Sequence, residues 1–584
     1  MSTHKIDGHS LPAAAIMHGM AFQGKRYDVS SLPIGESYDF VVAGAGISGL
    51  SAAHFYQERF GKDKKVLIID PLAYFGGHAS RNEFSVDGNS MLGYGGSESF
   101  QSPKLNFSEQ VHGLMKTLKV EISRFEKEFF QHDTYPKLGL SRGTFFGAEI
   151  FGKDTLVTGD PTAWVSDDVA PENLNAKSYK DFFAQFPIST DSKKQLVELY
   201  TSKKEMLDRF KTPQEREQYL KTTSYEKFLR EDWKLSDEAI HYFSQRTCDF
   251  FGLTPNQIPA LDACHYGLPG LSDDHVEELG PLDEPYVYHF PDGNASLARL
   301  LVRSLIPTIA TGSTMEDIVG ADFKMTELDS AQNSVRIRLG HTVVSVENTK
   351  DGLVDIGVIH NVDGTLHRIQ AKHATLACFN MAIPFIFEEL NADQSHALKM
   401  NVKVPMVYTN VVLKNWHAWV KLGVHEIYGV NTFHSRIKLD YSVSMGGYAT
   451  PTDPSQPIVV HMVHVPTVPT ASDPRAALRQ ARKTFFALKF EDHEKHIKSD
   501  LTRMLGPGGF NAETDILDIH VNRWSHGYSF SANTLIETED ESNRLMNLAR
   551  QRVGNVTIAN SDAAWTAYAH AAVDEAYRAV SEFN

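Results

Sequence analysis

The chain has little cysteine, an excess of acidic over basic residues, and no long apolar run. Its three cysteines, Cys248, Cys264 and Cys378, are too few and too far apart for a disulfide framework or a zinc site. The net charge of −16 argues against nucleic-acid binding, because a phosphate backbone requires clustered Lys and Arg. No window approaches the ~20 apolar residues of a membrane helix, and the N-terminus lacks the pattern of a secretory signal. We therefore expect a cytoplasmic protein with reduced cysteines, no transmembrane segment, no metal site, and a surface that attracts cations.

What the chain does have is length and a glycine-rich turn. Its 584 residues exceed one ordinary core and predict two domains. Residues 41–56, VVAGAGISGLSAAHFY, place an apolar strand before a G-x-G-x-x-G turn (Gly44, Gly46 and Gly49) and a helix after it. A second strand, KKVLIID, ends at Asp70, where an acid can bind ribose hydroxyls. This pattern predicts a dinucleotide-binding fold with the phosphates at the helix N-terminus.

The later segments favour FAD over NAD. A second glycine pair (FGGHASRNEF), the stretch LGYGGSES and a C-terminal strand, turn and helix (VTIANSDAAWTAYAHAAVDEAYRAV) all resemble further walls of one nucleotide site. A simple NAD domain does not need such distant segments, whereas the ribityl chain and ring of a flavin do. No second G-x-G-x-x-G occurs in the chain, so we expect no separate NAD(P)H domain.

These motifs resemble those of the flavin-dependent amine oxidases. The first turn and the C-terminal motif are shared across that family, while FGGHASRNEF, LGYGGSESFQSP and FPDGNASLARLLVRSLIP resemble its spermidine dehydrogenase branch. The resemblance implies an α/β fold, in which a Rossmann-like FAD-binding domain of the GR2 type is interleaved with an α+β substrate-binding domain. The implied boundaries are 37–100, 287–378 and 550–584 for the FAD-binding domain, 101–286 and 379–549 for the substrate-binding domain, and 1–36 for an N-terminal tail.

The resemblance also implies which residues bind the cofactor. Where the family usually has an arginine after the glycine pair, this chain has His78, and Arg81 is the nearest alternative cation. The strand HTVVSV is expected to meet the adenine through its backbone at Val343 or Val344. The helix that opens at Tyr568 should direct its first amides at the flavin. The residues expected to bind FAD are Gly44, Gly46, Gly49, Asp70, Gly76, Gly77, His78, Arg81, Gly95, Gly96, Ser97, Val344, Asp562 and Ala569.

The expected catalytic residues are those that orient an amine beside the flavin, because the cofactor itself accepts the hydride. Tyr568 matches an aromatic-cage position of the family. Trp524, His526 and Tyr528 are predicted to alternate onto one face of a strand and to line one cavity, and His526 could accept a proton. Core packing is the competing interpretation for these side chains. Glu98 is the expected anionic anchor nearest the ring, and the other acidic candidates are Asp249, Asp262, Asp273 and Asp274.

The predicted function is FAD-dependent oxidation of a C–N bond in a polyamine-like amine. Hydride transfer to flavin N5 would give an imine, which water hydrolyses to an aldehyde and a shorter amine. Two alternatives stay open: a biosynthetic oxidase or desaturase acting on another amine-containing metabolite, and a non-catalytic flavin-binding protein. O2 or another acceptor would take the electrons, and a homo-oligomer is compatible with the sequence. The resemblance also allows haem b beside FAD, with His18 and Met20 as candidate axial ligands.

Overall fold

The computed structural model describes residues 5–162, 167–272 and 284–584. A sheet of five parallel strands carries the glycine-rich turn. Its central strands are apolar runs such as VLIID, buried along their whole length, as expected where helices cover both faces of a parallel sheet. In spatial order the strands are β8 (Val335–Leu339), β3 (Val66–Asp70), β2 (Ile34–Ala43), β11 (Leu366–Leu376) and β17 (Val556–Ile558).

Two antiparallel strands extend this sheet from β11. They are β10 (Val354–His360) and β9 (His341–Asn348), joined by the predicted TKDG turn. The carboxyl ends of the five parallel strands meet at one edge, which is where ligands bind in open α/β sheets. The glycine turn, Asp70, the loop after β11 and the loop after β17 all start at that edge.

A second, mostly antiparallel sheet has eight strands. Residues of helices Pro474–Ala487 and Phe490–Leu505 belong to the same hydrophobic core cluster as residues of this sheet. The strands in spatial order are β1 (Lys5–Gly8), β16 (Ile516–Trp524), β12 (Met406–Leu413), β15 (Ile458–His464), β14 (Arg436–Leu439), β13 (Val424–Val430), β6 (Ser141–Phe146) and β7 (Thr155–Thr158). A separate hairpin pairs β4 (Arg81–Val86) with β5 (Asn89–Tyr94).

The α-helices fill the remaining described chain. Helices of eight residues or more are Leu11–Gln23, Ile47–Phe60, Glu109–Thr117, Thr190–Thr201, Pro213–Thr222, Ala295–Leu305, Ala392–Met400, Pro474–Ala487, Phe490–Leu505, Glu539–Ala549 and Ala569–Ser581. Shorter ones are Pro103–Asn106, Ile122–Arg124, Ala148–Phe151, Tyr179–Phe183, Tyr225–Glu231, Asp237–His241, Cys248–Phe251, Ala260–His265, Ile383–Ile386, His417–Leu422 and Ala512–Asp515. No helix of the described ranges is long and apolar enough to cross a membrane.

The prediction of an N-terminal tail over residues 1–36 is wrong for most of that segment. Residues 5–8 form β1, which pairs in parallel with the end of β16, and residues 11–23 form a helix capped by the Ser10 side chain. Ile34 already belongs to β2. Residues 11–23 contain no Lys, Arg, Asp or Glu, and apolar residues of this helix, such as the buried Met20, pack into the core.

Candidate active site

The glycine turn has room for a ligand where the sequence motif predicts it. Gly44 has φ +120°, and a Cβ there would lie 2.5 Å from the Ala377 carbonyl oxygen. A Cβ on Gly49 would lie 1.8 Å from the Gly44 carbonyl oxygen, so both glycines are required by the fold. A Cβ on Gly46 would meet only the Gly76 carbonyl oxygen, at 3.8 Å. Nothing in the described protein therefore explains a glycine at position 46, whereas a pyrophosphate against the backbone does.

Asp70 holds the glycine turn in place. Its carboxylate accepts hydrogen bonds from the backbone N–H of Ala45, at 2.7 Å, and of Leu72, at 2.8 Å. Burial raises the pKa of Asp70 to about 6, and the two amides act in the opposite direction. Each carboxylate oxygen can accept a second hydrogen bond. The expected ribose contact is therefore compatible with the geometry and stays a prediction.

The second glycine pair lies against the first turn. Gly76 donates its N–H to the Ala45 carbonyl, and a Cβ on Gly77 would approach the Gly46 Cα to 3.3 Å. His78 follows and is half-buried, with Nε2 2.8 Å from the carbonyl oxygen of His526. Burial, and then Lys403, lower the pKa of His78 to about 3, so the imidazole is neutral at pH 7.

Arg81 does not supply the cation that the family's arginine would have provided. Its guanidinium pairs with Asp292 and Glu83 and donates to the Val319 carbonyl. Because Arg81 is the first residue of β4, its side chain is committed to these partners and not to the glycine pair. The structure therefore gives no support to the prediction that Arg81 binds the cofactor as a cation.

Val344 lies where the backbone is free to meet a ligand. In the pairing of β9 with β10, Ser345 lies opposite Gly357 and Val343 opposite Val358. Val344 is thus the extra residue of a β-bulge, and such a residue is left out of the regular hydrogen-bond ladder. This geometry suits the expected backbone contact with the adenine.

The segment Gly95–Ser97 is packed closely between two parts of the site. A Cβ on Gly95 would lie 2.3 Å from the Ser80 Oγ, and one on Gly96 would lie 2.6 Å from the His78 carbonyl oxygen. Trp524 donates its indole N–H to the Gly95 carbonyl oxygen at 2.6 Å. The Ser97 Oγ accepts from the Asn294 side chain. Both glycines are explained by this packing, so the flavin contact at this segment stays a prediction.

Asp562 belongs to a buried ion pair that the sequence did not indicate. Its carboxylate is 2.5 Å from the Lys403 Nζ and also accepts from the Asn380 N–H at 3.2 Å. Lys403 precedes β12 and is separated from Asp562 by 159 residues, so no local pattern links them. Asp562 itself lies in the loop after β17, at the carboxyl edge of the parallel sheet.

Two buried side chains without partners fit the presence of a ligand at this edge. The Ser48 Oγ, in the first turn of helix Ile47–Phe60, has no hydrogen-bond partner among the described residues. The same holds for both side-chain atoms of Asn380, which is fully buried beside Asp562. Buried polar groups are normally satisfied. A polar cofactor along this edge would supply the missing partners, and the residues present therefore fit FAD.

Tyr568 is the N-cap of the last helix and faces a cavity. Its hydroxyl is 3.4 Å from that of Tyr266, and its ring stacks on His570. Burial, and then Tyr266, raise the pKa of Tyr568 well above its usual value. The Tyr568 side chain caps none of the first amides, so the N–H groups at Ala569 point toward the same edge with their positive dipole end.

The cavity measures about 350 Å³, within the range of small-molecule sites. Its lining includes the aromatic side chains of Tyr568, Tyr266, Tyr528, Tyr408 and Trp565. It also contains three arginines, Arg142, Arg246 and Arg436, together with Asp167, Asp168 and Glu426. Arg142 pairs with Asp167 at 2.9 Å, and Arg436 pairs with Glu426, so these charges largely neutralise one another.

Three further carboxyl groups line the cavity and form no salt bridge with another described residue, although Arg436 acts against the effect of burial on Asp249 and Lys221 does so on Asp262. Glu98 contributes Oε1, which is buried and has no hydrogen-bond partner among the described residues. Asp249 accepts from the Ser435 hydroxyl at 2.7 Å, and burial raises its pKa. Burial also raises the pKa of Asp262 to about 7. Glu98, Asp249 and Asp262 together are named the acidic wall.

The structure does not bring Trp524 and His526 into this cavity. β16 ends at Trp524, so His526 and Tyr528 lie beyond it, and the predicted alternation of the three on one strand face is wrong. Only Tyr528 lines the cavity. Trp524 is held by Gly95, and His526 stacks on Phe379 with ring centroids 5.1 Å apart. Asp273 and Asp274 lie outside the described residues.

The candidate haem ligands do not converge on one site. Met20 is buried in the core, whereas His18 is exposed on the same helix and contacts Phe22 and Phe486. Residues two positions apart on a helix point to different faces. The structure thus offers no support for haem b at this pair.

Comparisons with known proteins agree with this architecture. A family model described as an NAD(P)-binding Rossmann-like domain matches residues 42–116. No curated protein matches the chain. Among solved structures, wild-type putrescine oxidase bound to putrescine superposes with a TM-score of 0.53 at 16% identity, covering 94% of this chain and 98% of that one. Cyclohexylamine oxidase from Brevibacterium oxydans IH-35A superposes with a TM-score of 0.54 at 13% identity, covering 93% and 98%.

The fold prediction is therefore confirmed. The chain is an α/β protein with a Rossmann-like dinucleotide-binding domain, and it has the fold of these amine oxidases along nearly its whole length. The parallel sheet draws its strands from residues 34–70, 335–376 and 556–558. The domain boundaries themselves stay a prediction.

Proposed function

We propose that this protein is an FAD-dependent oxidoreductase that oxidises a C–N bond of a polyamine-like amine. The observation that carries the proposal is the cavity between Tyr568 and the acidic wall, which opens at the carboxyl edge of the dinucleotide-binding sheet. Amine oxidases with the same fold support the reaction class. The spermidine dehydrogenase motifs and the acidic wall support a substrate with more than one ammonium group.

The cofactor would be held by groups already placed at the sheet edge. Gly46 leaves space for the pyrophosphate, with Gly77 packed against it, and Val344 offers its backbone to the adenine. Asp562 and Asn380 offer polar contacts to the ribityl chain. When bound, FAD supplies the acceptor for the hydride that leaves the carbon next to the amine nitrogen.

The side chains of the cavity position the amine. Tyr568, Tyr266 and Tyr528 present aromatic faces, which attract a cation and orient an amine without a strong ion pair. A second ammonium group would lie against Glu98 and Asp249, since the Glu98 Oε1 has no hydrogen-bond partner among the described residues and burial disfavours the ionised form of Asp249, so that a cation would stabilise both carboxylates. The tyrosine hydroxyls stay protonated at pH 7, because burial raises the pKa of both Tyr568 and Tyr528. These groups therefore orient the substrate and do not remove its proton.

Anaerobic mixing of the purified protein with amines tests the proposal. Loss of the flavin absorbance near ~450 nm with spermidine or putrescine would support it. Faster bleaching by spermidine than by a monoamine of equal length would support the polyamine-like substrate. Bleaching by neither type of amine would favour the non-catalytic flavin-binding alternative. Bleaching by an unrelated amine alone would favour a biosynthetic oxidase.

A further inference from the structure

Five basic side chains gather outside the substrate cavity. Arg482 comes from helix Pro474–Ala487, Arg523 from the end of β16, and His526 from the segment that follows β16. His9 and His18 come from the N-terminal segment, on either side of the start of helix Leu11–Gln23. These five residues are named the cationic cluster.

Members of the cationic cluster are close enough to repel one another. Burial lowers the pKa of His526 well below its usual value, and Arg482, Lys403, His9 and His18 lower it further. Burial, Arg523 and His18 lower the pKa of His9 to about 4, against one opposing hydrogen bond. The side chains that act on His526 are thus all basic, and since His9 and His526 are neutral at pH 7, the positive charge of the cluster at that pH lies on Arg482 and Arg523.

Within the described chain, neither arginine of the cationic cluster is paired with a carboxylate. Arg482 donates to the backbone carbonyls of Lys403 and Ser525. Arg523 donates to the Leu488 carbonyl and contacts the His9 ring, and its Nε has no partner among the described residues. Burying a charge without a counter-charge is costly. In a chain of net charge −16, an anion bound at this cluster would remove that cost.

The cationic cluster directly adjoins the residues proposed to hold the cofactor. The His526 carbonyl oxygen accepts a hydrogen bond from the His78 side chain, and the His526 ring stacks on Phe379. The Phe379 ring also stacks on the His78 ring, with the two centroids 5.9 Å apart. Arg482 holds the carbonyl of Lys403, whose ammonium group pairs with Asp562. The patch also reaches solvent, because Phe379 is 38% exposed and Phe22, beside His18, is 80% exposed.

We infer that the cationic cluster binds a small, anionic, planar electron acceptor that reoxidises the reduced cofactor. This inference rests on the proposed function, because an oxidoreductase of this kind needs an acceptor after each turnover. The substrate cavity is unsuited to an anion: its described lining holds six carboxyl residues against three arginines. The cationic cluster offers the complementary charge, and the exposed rings of Phe379 and Phe22 offer contact to a planar molecule.

The test uses ferricyanide as the anionic probe and N-methylphenazinium as a cationic, planar probe. In reoxidation, two ferricyanide ions each take one electron and become ferrocyanide, the reduced cofactor loses two electrons, and its N–H proton passes to water. Holoenzyme is reduced with dithionite, so that this half-reaction is measured without any amine. Stopped-flow rates are compared for wild type, Arg482→Gln, Arg482→Lys and Arg523→Gln. Lys483→Gln removes an exposed charge from the same helix and is the matched control.

We expect Arg482→Gln to slow reoxidation by ferricyanide about tenfold at low ionic strength, because local charge sets the rate of such encounters. Arg482→Lys should keep most of the rate, and Arg523→Gln should show a similar loss if Arg482→Gln does not fold. The difference should shrink at 0.15 M salt, which screens the attraction. Rates with N-methylphenazinium should not fall.

Three results would overturn the inference. They are an equal loss with both probes, the same loss in Lys483→Gln, and loss of FAD from Arg482→Gln, which would assign the cluster to the cofactor's own phosphates. Failure of amines to reduce wild type would instead count against the proposed function, and the dithionite experiment would still decide the acceptor site.

Discussion

The acidic wall and the cationic cluster are two groups of like ionisable side chains near the proposed cofactor site. The acidic wall lines a cavity with tyrosine walls. The cationic cluster adjoins the loop after β11, with exposed phenylalanines beside it. Each group carries an excess of one charge, which opposes folding until a counter-ion binds.

The difference between the two regions indicates two binding partners of opposite charge. A cationic amine neutralises the acidic wall, and an anionic acceptor neutralises the cationic cluster. The charge that attracts a molecule to one of these regions repels it from the other, so the amine and the acceptor do not compete for one binding site. This separation is the property that the following predictions test.

The largest effect is expected from Gly46→Val, which should abolish both flavin reduction by amines and reoxidation by the acceptor, because FAD is lost. The added side chain would occupy the space left for the pyrophosphate. We expect purified Gly46→Val to contain no FAD, as measured by its visible spectrum, and to remain folded by circular dichroism. The control is Gly113→Ala, at a helical glycine whose Cβ would meet open space. Full FAD occupancy in Gly46→Val would show that this turn does not hold the cofactor.

The second prediction addresses the cavity side alone. Tyr568→Ala removes an aromatic wall, and a misplacement of the reacting atom by ~1 Å can cost about a hundredfold in rate. Reduction of the flavin by spermidine should slow by about that factor, while FAD content and reoxidation by ferricyanide stay unchanged. Tyr568→Phe keeps the ring and should keep much of the rate. If Tyr568→Ala were reduced as fast as wild type, Tyr568 would be a packing residue only.

The contrast between the two regions also shows what sequence could predict. The glycine turn, the strands on either side of it and the last helix follow from local patterns, because turn chemistry and hydrophobic period are encoded within about 30 residues. Tyr568 and Glu98 are predicted in the same way, since each adjoins a motif, and their roles stay predictions. Both face the predicted kind of cavity.

The parts that sequence did not reveal depend on contacts between distant segments. Lys403 pairs with Asp562 across 159 residues, and the cationic cluster combines the N-terminal segment with helix Pro474–Ala487 and the end of β16. The alternation of Trp524, His526 and Tyr528 in the sequence predicts that they share one strand face, but the strand ends at Trp524. Residues 11–23 are largely apolar and carry no charged residue, and this composition is the only feature of their sequence that argues against a tail.

The third prediction tests the ion pair between the two regions. Asp562→Asn should weaken FAD binding by about 1.5–3 kcal/mol, the size of one charge-assisted hydrogen bond. It should also lower thermal stability, because Lys403 is then left as a buried charge without its partner. The double variant Asp562→Asn/Lys403→Gln should regain stability without regaining FAD affinity. Recovery of FAD affinity in the double variant would contradict a direct contact between Asp562 and the cofactor.

The smallest effect concerns the pH dependence of the acidic wall. Burial, and then Glu539, raise the pKa of Asp262 to about 7, against a smaller opposing effect of Lys221. The folded protein therefore binds this proton more tightly than the unfolded chain, whose Asp pKa is about 3.9. The resulting stability is complete below about pH 4 and is lost as the pH rises through 7. At pH 8 the ionised group destabilises the fold unless a cation lies beside it.

Asp262→Asn should remove this dependence. We expect its melting temperature to exceed that of wild type by about 1–3 °C at pH 8 and this difference to shrink steadily as the pH falls toward 4, as measured by scanning fluorimetry of the holoenzyme. Asp351→Asn, at an exposed turn between β9 and β10, is the matched control and should show no such difference. Added spermidine should stabilise wild type more than Asp262→Asn at pH 8, because only the carboxylate gains a counter-ion. If spermidine stabilised both proteins equally, Asp262 would not belong to the substrate side, and the acidic wall would consist of Glu98 and Asp249 alone.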